Sequence, residues 1–161
     1  MARQILDKKI TGFLRRKEFI NVGTCDFDGR PNVAPKFLLK VEDEMIYLVD
    51  YVIGRTLKNL KKNPRVSMST VNIDTLTGYQ INGQAQILSK GAEYDKLGQE
   101  YRSRQIDFSV FRIIDGVRKQ EKHKNVEITF PEKVIFFKVE VNEIVEIIPS
   151  GKLKRRKVDS K

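Results

Sequence analysis

Residues 54–68, GRTLKNLKKNPRVSM, place an arginine, a threonine and a lysine (Arg55, Thr56 and Lys58) where a helix is expected to begin. Thr56 is a good N-cap type, Leu57 and Leu60 supply an apolar stripe, and Pro64 ends the helix by biasing Asn63 out of the helical region. The first N–H groups of a helix are unpaired and its dipole is positive at that end. Two cations and a hydroxyl beside them make a pocket for a phosphate-like dianion. The same residues suit a solvated basic helix, with Lys58, Lys61, Lys62 and Arg65 facing water.

The other reactive side chains are sparse. His123 is the sole histidine, set in the charged run QEKHKN, so a multi-histidine metal site or a Ser-His-Asp triad with a spare base has little to draw on. A surface position is the simpler reading for it. Cys25 is the sole cysteine, lies in an expected strand, and reads as a packed core residue with no partner for zinc or a disulfide. Asp43, Glu44, Asp50 and Asp74 occupy turn-like contexts and read as turn formers before general bases. No catalytic constellation of side chains emerges, so no catalytic residue and no metal ligand is assigned. A phosphate pocket without an acid, base or nucleophile suits a phosphorylated cofactor that carries the chemistry itself.

The elements that would position these residues form one domain. A chain of 161 residues can bury a core without disulfides. The expected division is a domain over residues 1–149 followed by a basic, disordered tail over residues 150–161. The start, MARQILDKKI, lacks the apolar run of a signal peptide, and no apolar run approaches the roughly 20 residues of a spanning helix, so a cytoplasmic location is expected. The formal charge of +10 is concentrated at the ends, with a net +5 in residues 1–17 and again in residues 152–161. Without an RNA-type aromatic motif or zinc-finger spacing, that charge does not amount to a sequence-reading nucleic-acid domain.

Residues 3–17 carry apolar side chains at helical spacing. Residues 18–26 and 31–41 read as a hairpin about Asp28-Gly29, residues 45–49 as a third strand, and residues 65–71 and 79–88 as two more after the anion-binding helix. Gly83 marks a bulge or a close backbone approach. Residues 93–104 and 108–119 read as two short helices. Residues 134–148 form a sixth strand whose alternation changes phase around residues 142–144, as at a bulge. The expected fold is mainly β with peripheral helices, a six-stranded antiparallel barrel.

The order of these parts is more specific than any one of them. Hairpin DGRPNVAPKFLLK, strand MIYLVDY, helix segment GRTLKNLKKNPRVSM and glycine-bearing strand GYQINGQAQIL together resemble the FMN-binding split-barrel family related to pyridoxamine 5′-phosphate oxidase, over residues 13–88. The resemblance implies a homodimer with FMN in a cleft between subunits. It makes Arg55, Thr56 and Lys58 phosphate ligands. Pro35, Lys36 and Phe37 would run along the flavin, and Leu48, Val49, Asp50 and Tyr51 would border its ring or ribityl chain. Alternation makes an outward-facing strand lysine equally open for Lys36. Asn59 and Gln84 are further candidates, although amides there also suit local backbone capping.

The chain departs from the oxidase proper. It has no tryptophan and lacks the Trp-Arg-Leu-x-Pro ending, and Gly54 and Thr56 stand where that pattern shows a serine and a basic residue. Oxidation of pyridoxamine phosphate is therefore not the expected activity. The expectation is an FMN flavoprotein passing electrons or hydride to a small substrate or redox partner. The alternatives are another cofactor on the same fold, a deazaflavin or haem, and a non-enzymatic binder of nucleic acid or anionic surfaces through the basic ends.

Overall fold

The computed structural model describes residues 5–119, 131 and 133–158. In chain order the elements are α1 (Lys8–Arg15), β1 (Phe19–Cys25), β2 (Pro31–Glu42), β3 (Met45–Asp50), α2 (Arg55–Leu60), β4 (Arg65–Asn72), β5 (Thr77–Leu88), α3 (Ala92–Lys119), β6 (Ile135–Ile147) and β7 (Leu153–Lys157). Period-two alternation turns Ile20, Val22, Val66, Met68, Ile81 and Val139 inward, and all are buried in one cluster. The antiparallel order is β3-β2-β1-β4-β5-β6-β7, and β3 also pairs with β6. That pairing closes six strands into a barrel, with β7 as an addition.

One strand makes both the closure and the addition. β6 pairs with β5 along its whole length, while its other edge serves β3 up to Glu140 and β7 from Glu143 onward. The change falls at a bulge, where Asn82 pairs with Glu143 and Gly83 with Val141, so that Asn142 is the extra residue. The phase change in the sequence and the glycine opposite it are thus one feature. A Cβ on Gly83 would lie well inside contact distance of the Glu140 carbonyl oxygen and 3.0 Å from Val139 Cγ1.

The barrel's two ends are plugged by helices. Ile10, Phe13 and Leu14 of α1 and Leu57 and Leu60 of α2 join the interior cluster. Asp7 caps α1 by accepting from the Ile10 N–H at 2.9 Å. Glu44, in the β2–β3 turn at positive φ, accepts from the backbone N–H groups of Ile5 and Leu6 at 3.1 and 2.9 Å. That turn anchors the segment leading into α1. α2 follows β3 and therefore sits at the opposite end. α3 covers Phe37, Val49 and Phe136 from outside with Leu97 and Tyr101, forming a second cluster.

Three expectations need correction. Residues 93–119 form one helix, because nothing between Arg104 and Phe108 breaks it. The helix at Arg55 has Gly54 at its N-cap, with no side-chain cap, so Thr56 lies in its first turn and does not cap it. Residues 153–157, expected to be disordered, form β7. Gly151, at φ +74°, turns the chain back, and the basic side chains find acids: Arg155 and Lys157 with Glu143, and Arg156 with Asp7 at 2.5 Å. Much of the terminal positive charge is spent in holding β7 to the barrel and to α1. No helix among the described residues is long and apolar enough to cross a membrane.

The bulge sets a clear stability test. Gly83→Ala is expected to cost about 1–3 kcal/mol in urea unfolding, because backbone must move to admit the methyl group. Gly98→Ala, in α3 with nothing within 4 Å of its added Cβ, is expected to gain about 1 kcal/mol instead.

Candidate functional site

Outward-facing residues of β1, β4, β5 and β6 form the floor of an open cleft of about 860 Å³ on the barrel wall. The alternation that sends Val22, Met68 and Ile81 inward leaves Gly23, Ser67 and Asn82 facing out. The floor is nearly side-chain-free at Gly23, where an added Cβ would stand 3.1 Å from the Ser67 carbonyl oxygen. Around it stand the amides of Asn32, Asn63, Asn82, Gln84 and Asn142, the cation Arg65, and the β7 end with Lys157 and Val158. Amides both donate and accept, which suits the polar edge of a planar heterocycle. Cys25 is half-buried and lines the cleft, so it is not the packed core residue expected from its strand. The last residues of β1 lie beyond the barrel's packed interior.

Beneath one end of the cleft lies a polar layer that docks α2. Asn32 Nδ2 donates to Thr24 Oγ1 and Thr56 Oγ1 at 3.4 and 3.3 Å, and Asn59 Nδ2 donates to Thr24 Oγ1 at 3.1 Å. Thr56 and Asn59 are buried. Beside them, Lys36 and Asp50 face each other across β2 and β3 as a buried ion pair at 2.7 Å, with side chains 5% and 0% exposed. The outward-facing alternative for Lys36 is therefore excluded. Its neighbours in register explain the direction, since Lys36 pairs with inward-facing Ile20.

The candidate residues divide into groups. Of the twelve, Gln84 alone lines the cleft. Arg55 and Lys58 are exposed on α2 with no ion-pair partner among the described residues, so both remain available to an anion. Pro35 is exposed on β2, and Tyr51 is half-buried with its ring 6.3 Å from that of Phe19. Leu48 points into the barrel, while Phe37 and Val49 lie under α3. His123 is outside the described residues. Gly23, Asn32, Ser67, Asn82 and Arg65 line the cleft without being marked as site residues by the sequence, and Arg65 is exposed there, as expected for a solvated charge. The available signal was a strand face of small and amide side chains opposite an apolar one.

Of the two acids lining the cleft, Glu140 and Glu143, the latter is held in its charged form. Glu143 has its carboxyl below the ordinary value of 4.5, through the Asn82 hydrogen bond first, with burial opposing and Arg155 and Lys157 adding attraction. The Asn82 contact is 2.7 Å.

An antiparallel barrel wall with an amide-lined cleft beside an exposed cationic helix defines a split-barrel protein with a candidate ligand site. The chain belongs to the family described as pyridoxamine 5′-phosphate oxidase, whose family model matches residues 6–121. An uncharacterized protein of Methanocaldococcus jannaschii, MJ0282, is 35% identical over 86 residues, which cover 52% of this chain and 56% of that protein. The chain therefore matches a little over half the length of this relative. Among solved structures, a pyridoxamine 5′-phosphate oxidase-related, FMN-binding protein from Nostoc punctiforme aligns with a TM-score of 0.59 at 10% identity, covering 99% of this chain and 100% of that one. HutZ, the haem storage protein from Vibrio cholerae, aligns at 0.60 and 18% identity, over 92% and 100%. An F420 reductase aligns at 0.53 and 18%, over 83% and 93%. These likenesses establish the split-barrel fold.

Two outcomes follow from the site's electrostatics. Asp50→Ala leaves the Lys36 ammonium unpaired in the barrel and is expected to cost about 3–5 kcal/mol in urea unfolding, most of which Lys36→Met with Asp50→Leu recovers. A carboxyl whose folded pKa is depressed adds stability above its unfolded value, and this stability is lost as pH falls through the folded one. Acidification below 4.5 should therefore loosen β7, read as a rise in amide exchange at residues 153–157; Glu143→Gln should reduce the effect, and adding Asp7→Asn, which removes the partner of Arg156, should reduce it further.

Proposed function

We propose that the protein is an FMN-binding flavoprotein that works as a homodimer and passes electrons or hydride between the flavin and a small substrate or redox partner. The observation that carries this reading is the cleft itself: a flat floor at Gly23 and Ser67, ringed by amides, on a barrel of this family. The donor set fits a flavin. Asn82 and Gln84 suit the polar edge of the ring, Arg65 offers a cation within the cleft, and Arg55 and Lys58 offer two more on α2 for the phosphate. Thr56, within α2, accepts from Asn32 and so ties the helix to β2. FMN when bound supplies hydride or single-electron transfer, and the chain's residues supply binding, orientation and exclusion of water.

The donor set suits haem poorly. The described cleft residues include no histidine or methionine, and Cys25 is their one sulfur. A free basic arm for nucleic acid is also disfavoured, since Arg155, Arg156 and Lys157 are engaged by acids. The cleft is open away from the barrel, and Val33 on its rim is exposed, as a site completed by a second subunit requires.

Purified protein is expected to be yellow, to release FMN identified by mass, and to melt at higher temperature when FMN is added. Arg55→Ala with Lys58→Ala, and separately Arg65→Ala, should each weaken FMN binding by about tenfold to a hundredfold, the worth of charge-assisted hydrogen bonds. Colourless protein with no thermal response to FMN would overturn the reading. Release of a deazaflavin by mass analysis would replace FMN on the same fold.

A further inference from the structure

α3 is apolar on two opposite faces, and the barrel accounts for only one. Tyr94, Leu97, Tyr101 and Phe108 pack toward the second cluster, and Arg112 on the same side bonds Glu18. At about 100° per residue, Ile106, Val110, Ile113 and Val117 fall on the reverse side of the helix. They are 64%, 48%, 43% and 75% exposed, and Ile114 beside them is 48% exposed. Isolated exposed apolar residues are ordinary, whereas a continuous stripe over three turns marks an interaction surface.

We propose that this stripe pairs with the same stripe of a second copy, the two α3 helices running antiparallel about a two-fold axis. The pattern is self-complementary. The spacings 106–110–113–117 read four, three, four from either end, so an antiparallel copy sets Ile106 against Val117 and Val110 against Ile113 in both halves. The charges select the same direction. Asp107 and Arg118 flank the stripe on the same side, both exposed and without an ion-pair partner among the described residues. In an antiparallel pair, residues on one flank meet the same flank of the other helix, which brings Asp107 of each copy beside Arg118 of the other. A parallel pair would set that flank against the opposite flank of the other helix and leave Asp107 and Arg118 without each other. Five apolar side chains make a core for such an interface rather than its full area, which for a stable dimer is about 800 Å² per partner.

This interface rests on the two-copy reading above, naming a surface for it, and does not depend on which cofactor binds. The test is the solution mass of the full chain by light scattering and sedimentation, with FMN melting shifts measured on the same samples. Wild-type protein is expected to be dimeric, and Asp107→Arg and Arg118→Asp should each weaken association by about tenfold. The double swap, Asp107→Arg with Arg118→Asp, should restore it. Val110→Ser with Ile113→Ser should give monomers. The charge variants alter only exposed side chains, so they carry the test if the serine pair fails to fold. A dimer unchanged in every variant, or no rescue by the double swap, overturns the α3 pairing and leaves the two-copy reading standing. A monomeric wild type overturns both, and the FMN shift reports on the cofactor separately.

Discussion

The bulge at Asn142, opposite Gly83, is the constraint on which the rest of the molecule depends. A regular β6 would keep one neighbour along its whole edge. By inserting one residue the chain lets the first half of β6 close the barrel on β3, while the second half is free to take β7. Closure removes the exposed edges that an open six-stranded sheet would present. It also creates the interior into which α1 and α2 insert their leucines, isoleucine and phenylalanine. The bulge lies in the cleft wall, so the feature that closes the barrel also shapes the site.

Inside the barrel mouth the chain replaces apolar packing with a polar layer: Thr24, Asn32, Thr56 and Asn59, with the Lys36–Asp50 pair beside them. Buried polar groups cost stability unless paired, and here they are paired with one another apart from Asp50 Oδ2, which has no hydrogen-bond partner among the described residues. Their geometry is directional. It fixes α2 in position and rotation on the barrel end, leaving Arg55 and Lys58 exposed. A purely apolar contact through Leu57 and Leu60 would hold the helix with less orientational definition. Residues that look like ligands in the sequence therefore divide between those that present the cations and those that are presented.

Much of this was legible from residue order. The six barrel strands, the helix after the third, the meaning of Gly83 and the phase change near Asn142 all follow from alternation and turn chemistry, which are local signals. The family resemblance drawn from those parts agrees with the match over residues 6–121. What was not legible depends on pairing between distant segments. The direction of Lys36 stays open in the sequence until Asp50 is brought across from β3. The tail reads as disordered because its basic run has no local partner, and its partners Glu143 and Asp7 lie 12 and 149 residues away. The cleft was missed for a related reason. Its floor is built from one or two residues of each of four strands, and Gly23, Ser67 and Asn82 carry no signal until the register aligns them.

The central claim is that the outer barrel wall over Gly23 and Ser67 receives the flavin. A crystal structure of the protein grown with FMN tests it most directly. The account predicts ring density against that floor, with Gln84, Asn82 and Arg65 in contact and the phosphate reaching Arg55 or Lys58. Well-defined FMN bound elsewhere on the chain, with this cleft holding only solvent, would contradict it.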